Sequence, residues 1–490
     1  MLVAEEVNSH NSFSFKEMGI FLGEQMFITL NKETLLSDIL AQSDYRNRCR
    51  CIIYVKPVQS GKTADILKVA ELFYKDSAII FVSDKNTALA EQTNSRAKVL
   101  GFQIHNYRDS EKLGKIINSS LGKKKVVHLL MEINNLERLD LFLDLVEDLP
   151  ITLIIDEADK SRSTSEGMAS EDEESTDSNT LPPITALLLK IKNKIKTREN
   201  SRTIFVTASP VALYTSEKEN WLTIYKEPYQ NYTGVGLNHP HNLFVIPRIA
   251  YNTCKVKTRW TETPADIQFN TFYEPLHYAC EQFAKASSKD TSVKQLMLIS
   301  LENHNAPQFR MSEVIKKHFS ELGADIDVRV FNSVTKDSAD TTLADIVKSG
   351  KANKMVIVSG FMASRGVSFT DFSDPDNKYE LILQVHHTKK QNPLNSSLQA
   401  MRVMGPARRT VSKAAIICNQ ICADDLNTNF LEFYRVCKDL AENNLPVKLG
   451  SFNSLRPLTQ EYNFRYLKQG HTQDALLYSS LNPDDHLPII

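Results

Sequence analysis

The chain has 490 residues, enough for two or three domains that each bury a core of their own. Its composition, 42% hydrophobic, 24% charged and 8% aromatic, is ordinary for a soluble globular protein. Lys and Arg number 58 against 59 Asp and Glu, a balance that neither favours nor excludes a nucleic-acid partner, because a basic channel fits within a neutral chain.

The seven cysteines are odd in number and irregular in spacing, which excludes a disulfide framework and a zinc-binding pair and implies a reducing compartment. The first residues lack the basic-then-apolar layout of a signal peptide, and no apolar run approaches the length of a membrane span. The expectation is a soluble intracellular protein, cytoplasmic or nuclear, with no membrane partner.

Residues 1–50 form a mixed lead-in with a short helix at Leu35–Leu40. Arg46, Arg48 and Arg50 cluster before the first strand and read as a solvated strand edge rather than a phosphate contact. The run Cys51-Ile-Ile-Tyr-Val55 predicts a strand, and Ile66, Leu67, Ala70 and Phe73 fall on one face of a following helix. Between them lies Pro57-Val-Gln-Ser-Gly-Lys-Thr63. Strand, Gly-Lys-Thr turn and helix are the layout of a phosphate-binding loop. Backbone N–H groups of Gln59, Ser60 and Gly61 would face phosphate oxygens, Lys62 would add charge at the β- and γ-phosphates, and Thr63 would hold Mg²⁺ through its hydroxyl. The first glycine of G-x-x-x-x-G-K-[ST] is replaced by Lys56.

Strands at Ala78–Val82 and Val126–Leu130 then alternate with helices at Thr87–Leu100 and Leu136–Val146. This alternation implies a parallel sheet covered on both faces. The next strand, Ile151–Ile155, ends in Asp156-Glu157-Ala158-Asp159. Carboxylates at the carboxyl end of a strand suit an ATPase: Asp156 for Mg²⁺, Glu157 to activate the attacking water. An acidic helix start is the plainer reading of the same residues. The phosphate loop upstream in the same sheet favours the ATPase. Residues 161–183 are Ser, Thr, Glu and Asp with almost no apolar residue, an expected disordered acidic insertion. A helix at Leu187–Ile195 precedes a strand at Thr203–Val206 that leads into Thr207-Ala-Ser209-Pro. Residues 211–290 carry Trp221, Tyr225, Tyr229, Tyr232 and Trp260, read as packing between domains rather than base stacking.

A second alternating run begins at Gln295–Ser300, continues through Met311–Leu322, Asp327–Phe331, Thr342–Lys348 and Lys354–Val358, and reaches Ala363-Ser-Arg365-Gly366-Val-Ser368. A strand at Leu381–Val385, a basic helix carrying Gln399, Arg402, Gly405, Arg408 and Arg409, and a strand at Ala414–Cys418 follow.

The order Gln-Ser-Gly-Lys-Thr, Asp-Glu-Ala-Asp, Thr-Ala-Ser-Pro, Ala-Ser-Arg-Gly-Val-Ser and Gln…Arg…Gly…Arg resembles superfamily 2 helicases and translocases over roughly residues 50–420. The Pro-Val-Gln-Ser-Gly-Lys-Thr form and Tyr229…Tyr232-Thr-Gly234 look similar to a divergent branch attached to endonucleases and found in large DNA viruses. The resemblance implies an α/β fold of two RecA-like lobes, each a mostly parallel sheet with helices on both faces. It implies the division 1–50 lead-in, 51–240 lobe one, 241–290 linker or accessory segment, 291–425 lobe two and 426–490 helical extension. It further implies ATP and Mg²⁺ held between the lobes and DNA, or less readily RNA, as partner. Protein partners would use the acidic insertion or the extension. Lys62, Thr63, Asp156 and Glu157 would form the ATPase core. Thr207 and Ser209 would couple it to nucleic acid, with Arg365, Gly366 and Gln399 from lobe two. Arg408 or Arg402 would be the arginine finger. The family pattern Gln-x-x-Gly-Arg-x-x-Arg is broken here by Arg402 at the glycine position, which leaves the finger open. The main rival reading is an ATP-driven clamp or remodelling switch that does not unwind. A further rival is a scaffold that binds nucleotide without catalysis, against which the intact Lys62, Thr63, Asp156 and Glu157 speak.

Overall fold

The computed structural model describes residues 26–30, 35–41, 50–84, 87–106, 113–146, 148–158, 183–208, 222–228, 232–234, 243–249, 267–301, 305–332, 335, 346–347, 349–360, 379–386 and 400–442. The chain divides into two compact units. The first is Met1–Pro57 with Gly61–Tyr229 and Arg435–Phe452; the second is Val58–Ser60 with Gln230–Tyr434 and Asn453–Ile490.

In the first unit the elements are β1 (Met26–Leu30), α1 (Leu36–Ala41), β2 (Cys51–Val55), α2 (Lys62–Phe73), β3 (Ala78–Ser83), α3 (Thr87–Val99), β4 (Gln103–Asn106), α4 (Leu113–Ser120), β5 (Lys125–Leu130), α5 (Ile133–Leu145), β6 (Ile151–Asp156), α6 (Pro183–Lys196), β7 (Arg202–Thr207) and β8 (Leu222–Lys226). The strands form one eight-stranded sheet in the order β1-β8-β2-β7-β6-β3-β5-β4. Every neighbouring pair is parallel. The cause is visible in the strands themselves. β2, β3, β6 and β7 are buried at every position, so both faces need a helical cover, which parallel crossovers supply. α2 turns Ile66, Leu67, Val69, Ala70 and Phe73 inward, and Arg202 lays its guanidinium over the Phe73 ring at 3.4 Å.

The lead-in is more than a lead-in. β1 pairs with β8 from Met26↔Leu222 to Leu30↔Lys226 and forms the sheet edge. Of the basic cluster there, Arg50 donates to the Lys196 carbonyl at the end of α6 at 3.0 Å; Arg46 and Arg48 lie outside the described residues.

A buried polar bridge ties β3, β5 and α3. Ser83 Oγ and His128 Nε2 are 2.7 Å apart, and His128 Nδ1 is 2.7 Å from Asn94 Oδ1. An amide oxygen only accepts, so Nδ1 carries the proton and Nε2 accepts from Ser83. Burial pushes His128 down to about 4. The unfolded chain therefore takes up a proton, as pH falls from about 6.5 towards 4, that the folded chain refuses. Stability of this unit is expected to fall by about 3 kcal/mol over that window. Urea unfolding at both ends of it, in wild type and His128→Gln, checks this: the variant should lose most of the slope.

In the second unit come β9 (Tyr232–Thr233), β10 (Leu243–Pro247), α7 (Ile267–Lys285), β11 (Lys294–Ser300), α8 (Asn305–Glu321), β12 (Asp327–Phe331), β13 (Lys354–Ser359), β14 (Tyr379–His386), β15 (Gly405–Pro406), β16 (Ala414–Cys418) and α9 (Gln420–Asp424). α10 (Phe430–Glu442) follows a single π-helical turn and passes from the second unit into the first at Arg435. Six strands build the second sheet, ordered β10-β16-β14-β11-β13-β12 and again parallel throughout. Each unit is a RecA-like lobe: a parallel sheet, strands joined through helices, and a separate hydrophobic core. The segment 241–290, expected as linker or accessory segment, contributes β10 to the sheet edge and puts Leu276, Ala279, Cys280 and Phe283 of α7 into the core. Tyr225 and Tyr232 are buried, as packing residues are; Trp221, Tyr229 and Trp260 lie outside the described residues.

The basic helix expected around Gln399–Arg409 is not a helix over 401–409. Gly405 takes φ 137°, Pro406 has no N–H to give, and the pair forms a short antiparallel strand against β9. Polar side chains of the buried strand β14 hold this segment. Gln384 accepts from Val403 N and donates to the Ala400 carbonyl, both at 2.9 Å. Glu380 accepts from Arg409 N and from both Thr410 N and its hydroxyl. Among the described residues no helix is long and apolar enough to cross a membrane.

Candidate active site

β2, β7 and β6 are neighbours in the first sheet. Val55 pairs with Thr207 and Asp156 with Val206, so the three strands end level. Adjacent strands lie about 4.8 Å apart, which puts the phosphate loop, Thr207 and the acidic pair along roughly 10 Å of one sheet edge. This is the carboxyl edge, where ligands of open α/β sheets bind.

The loop leaves β2 through Lys56, whose N–H bonds the Thr207 carbonyl at 3.2 Å. It turns on two left-handed residues, Gln59 at φ 53° and Gly61 at φ 92°. Glycine takes that conformation freely; at Gln59 it is strain. Gly61 then caps α2, and its carbonyl accepts from Ala64 N and Asp65 N. Ser60 is buried, and Lys62 and Thr63 are nearly so. Lys62 Nζ curls back towards the carbonyls of Lys56 and Pro57, at 3.5 and 3.4 Å. Those are weak contacts for an ammonium. A phosphate brought to the loop would bind it better.

Asp156 ends β6, and its Oδ1 accepts from Glu157 N at 3.0 Å. Glu157 has φ 53°, a second strained non-glycine residue beside the loop. Ala158 N bonds the Val206 carbonyl and returns the chain to the sheet. Backbone strain of this kind costs about 1–3 kcal/mol per residue and collects at functional sites. Thr207 is fully buried at the end of β7.

A charged group lies beneath the loop, marked in the sequence only by Lys56 at the position of the first glycine. Lys56 Nζ donates to Asp65 Oδ2 at 2.8 Å, and the Tyr54 hydroxyl donates to the same oxygen. Burial pushes Lys56 down to about 8, against the upward pull of Asp65, with Lys226 and Lys62 adding to the depression. Lys226, buried on β8, is also lowered, first by burial. Tyr54 is raised well above its usual value, by burial and then by Asp65. The available signal was a lysine ending an apolar strand, with an aspartate in the first turn of the next helix.

Of the second-lobe residues, Arg402 is fully buried. Arg408 spends its guanidinium on the carbonyls of Leu381, Pro406 and Val403. Ser209, Arg365, Gly366 and Gln399 lie outside the described residues, as do Asp159 and all of 161–182.

No protein-family model and no curated protein matches the chain. Among solved structures, a variant of S. cerevisiae Dbp5 bound to RNA and ADP–BeF3 is 11% identical over 88% of this chain and 91% of that chain, with a TM-score of 0.45. The DEAD-box helicase Mss116 bound to ssRNA and UDP-BeF is 13% identical over 90% and 84%, TM-score 0.46. The Escherichia coli DEAH/RHA helicase HrpB is 9% identical over 78% of this chain and 42% of that chain, TM-score 0.44. At such identity, with these TM-scores all below 0.5, the matches assign neither an activity nor a substrate.

Proposed function

We propose that the chain is an ATP-dependent nucleic-acid helicase or translocase. The observation that carries this reading is the convergence of the phosphate loop, Asp156-Glu157 and Thr207 on the level ends of β2, β6 and β7. In this reading the loop N–H groups of Gln59, Ser60 and Gly61 and the Lys62 ammonium bind the phosphates. Glu157 orients the attacking water and takes its proton.

The donor chemistry fits Mg²⁺. Among the described residues no group of three or more His, Cys, Asp or Glu side chains is placed to hold a metal. The oxygen donors at this edge are the Thr63 hydroxyl and the Asp156 carboxylate. Mg²⁺ is the ion that accepts so few protein ligands, because it keeps water and substrate phosphate oxygens around it. It would neutralise charge on the phosphates.

Thr207 and Ser209 would couple the acidic pair to the nucleic-acid track, with Arg365, Gly366 and Gln399 from the second lobe. Arg408 or Arg402 of the second lobe would act on the transferring phosphoryl group; the Arg408 fork also bonds three carbonyls of its own lobe. DNA is the favoured track.

Steady-state ATP hydrolysis with no polymer, single-stranded DNA, duplex DNA and RNA tests the reading. Stimulation by one of them, lost in Lys62→Ala, is the expected result. Hydrolysis indifferent to every polymer would move the chain to the clamp or remodelling class.

A further inference from the structure

Lys56 stands where the phosphate-loop pattern has its first glycine. Glycine serves there by letting the backbone turn. Lys56 puts a side chain into the same space, directed under the loop. A Cβ built on Gly61 would lie 3.7 Å from Lys56 Nζ, so the ammonium lies against the underside of the turn. Lys56 is 4% exposed and Asp65 7%. Through its N–H to Thr207, its Nζ to Asp65 and its covalent place after Val55, one residue ties β7, α2 and β2 together.

The charges that face it are few. Asp65 holds the ammonium, and the Tyr54 hydroxyl donates to the same carboxylate; Lys62 at the start of α2 and Lys226 on β8 repel the ammonium. Lys226 faces Asp65 as well, with Asp38 and Lys68 further round. Three ammonium groups against one buried carboxylate leave the pocket under the loop with surplus positive charge. Burying a second cation beside Lys62 costs free energy that a bare structural strut has no reason to incur, since a well-packed apolar side chain fills the same space more cheaply. A polyanion above the loop gives that charge a use.

We propose that Lys56 is a positioning residue of the phosphate site, which braces the loop in place of the absent glycine and adds a buried positive charge that selects nucleoside polyphosphates over monophosphates. This rests on the reading of the loop as a nucleotide site. Lys56 acts through the loop, not by touching the phosphates.

Equilibrium binding of ATP and of AMP to the full chain tests it, in Lys56→Met, Lys56→Met with Asp65→Asn, and Lys56→Arg. Removing one cation close to several phosphate charges should weaken ATP binding about tenfold and leave AMP binding nearly unchanged. The double variant removes one charge of each sign, so the surplus is unchanged and ATP binding should stay near wild type; it separates lost charge from lost structure in the single variant. Lys56→Arg should restore discrimination, because the charge is kept. Wild-type ATP affinity should also fall as pH rises from about 7.5 to 9, and Lys56→Arg should not follow it. Lys226→Met is the control for that slope. A slope that survives in the double variant, or ATP binding by folded Lys56→Met within about twofold of wild type, overturns the proposal. Lys62→Ala separates the two levels. If it abolishes ATP binding while the Lys56 variants do not differ from wild type, only the role of Lys56 falls. If it too binds normally, the nucleotide site falls with it.

Discussion

Glu157→Gln is expected to slow ATP turnover by about a thousandfold while ATP binds as tightly as to wild type. The substitution is nearly isosteric and removes only the ability to take a proton from the attacking water. The backbone N–H of residue 157 still donates to Asp156, so the turn after β6 survives. Lys62→Ala should differ in kind, losing binding as well as turnover, because its charge is used in the ground state and in the transition state alike. Pre-steady-state measurement of bound and hydrolysed ATP separates the two. Equal hydrolysis by wild type and Glu157→Gln would sink the assignment of the acidic pair. The strained backbone offers an independent reading of the same residue. At φ 53°, glycine sits more easily than glutamate. Glu157→Gly should therefore be inactive yet melt slightly higher, by about 1 kcal/mol of stability, the opposite pairing of activity and stability from a damaged core residue.

The central strands of both sheets were legible because each is a short apolar run buried on two faces, and such runs leave a plain mark in sequence. The edges were not. β4 reads Gln-Ile-His-Asn, with one aliphatic residue in four positions, because an edge strand needs less apolar surface. β1 escaped for a different reason: its place beside β8, almost two hundred residues on, is a tertiary pairing that no local pattern announces. The site followed the same division. Lys62, Thr63, Asp156 and Glu157 stand in strings whose spacing dictates their placement, and β2, β6 and β7 deliver them to one edge. Lys56 was visible only as a departure from a pattern. Its meaning depends on Asp65, which local sequence offers merely as an acidic residue in a first helical turn. The spacing of Arg402, Gly405 and Arg408 imitates a helical period, but Glu380 and Gln384 determine the conformation, and they reach it across the sheet.

Three backbone carbonyls make Arg408 the second large effect. Arg408→Ala is expected to destabilise the second lobe by about 3–5 kcal/mol, the range for breaking a set of charge-assisted bonds to partly buried carbonyls. Its Nε donates to Leu381 at 2.7 Å, and its two terminal nitrogens donate to Pro406 and Val403. Three acceptors on β14 and on both sides of Gly405 thus converge on one planar fork. An ammonium cannot copy that geometry, so Arg408→Lys should recover little. In a lobe of some two hundred residues the loss corresponds to about 10 °C in melting temperature. Arg402 is fully buried, so its truncation also costs stability, and the kinetics of the folded protein are what set it apart. Its substitution by alanine is expected to lower kcat by about a thousandfold, with a smaller change in ATP affinity, as for a cation that acts on the transition state. Thermal unfolding and steady-state kinetics on both variants distinguish the roles. If Arg408→Ala folds at the wild-type temperature and loses only kcat, Arg408 is the finger and its three carbonyl bonds do not hold the lobe together. If Arg402→Ala keeps full turnover, neither the charge nor the position of Arg402 serves the reaction, and the finger must be sought beyond these two residues.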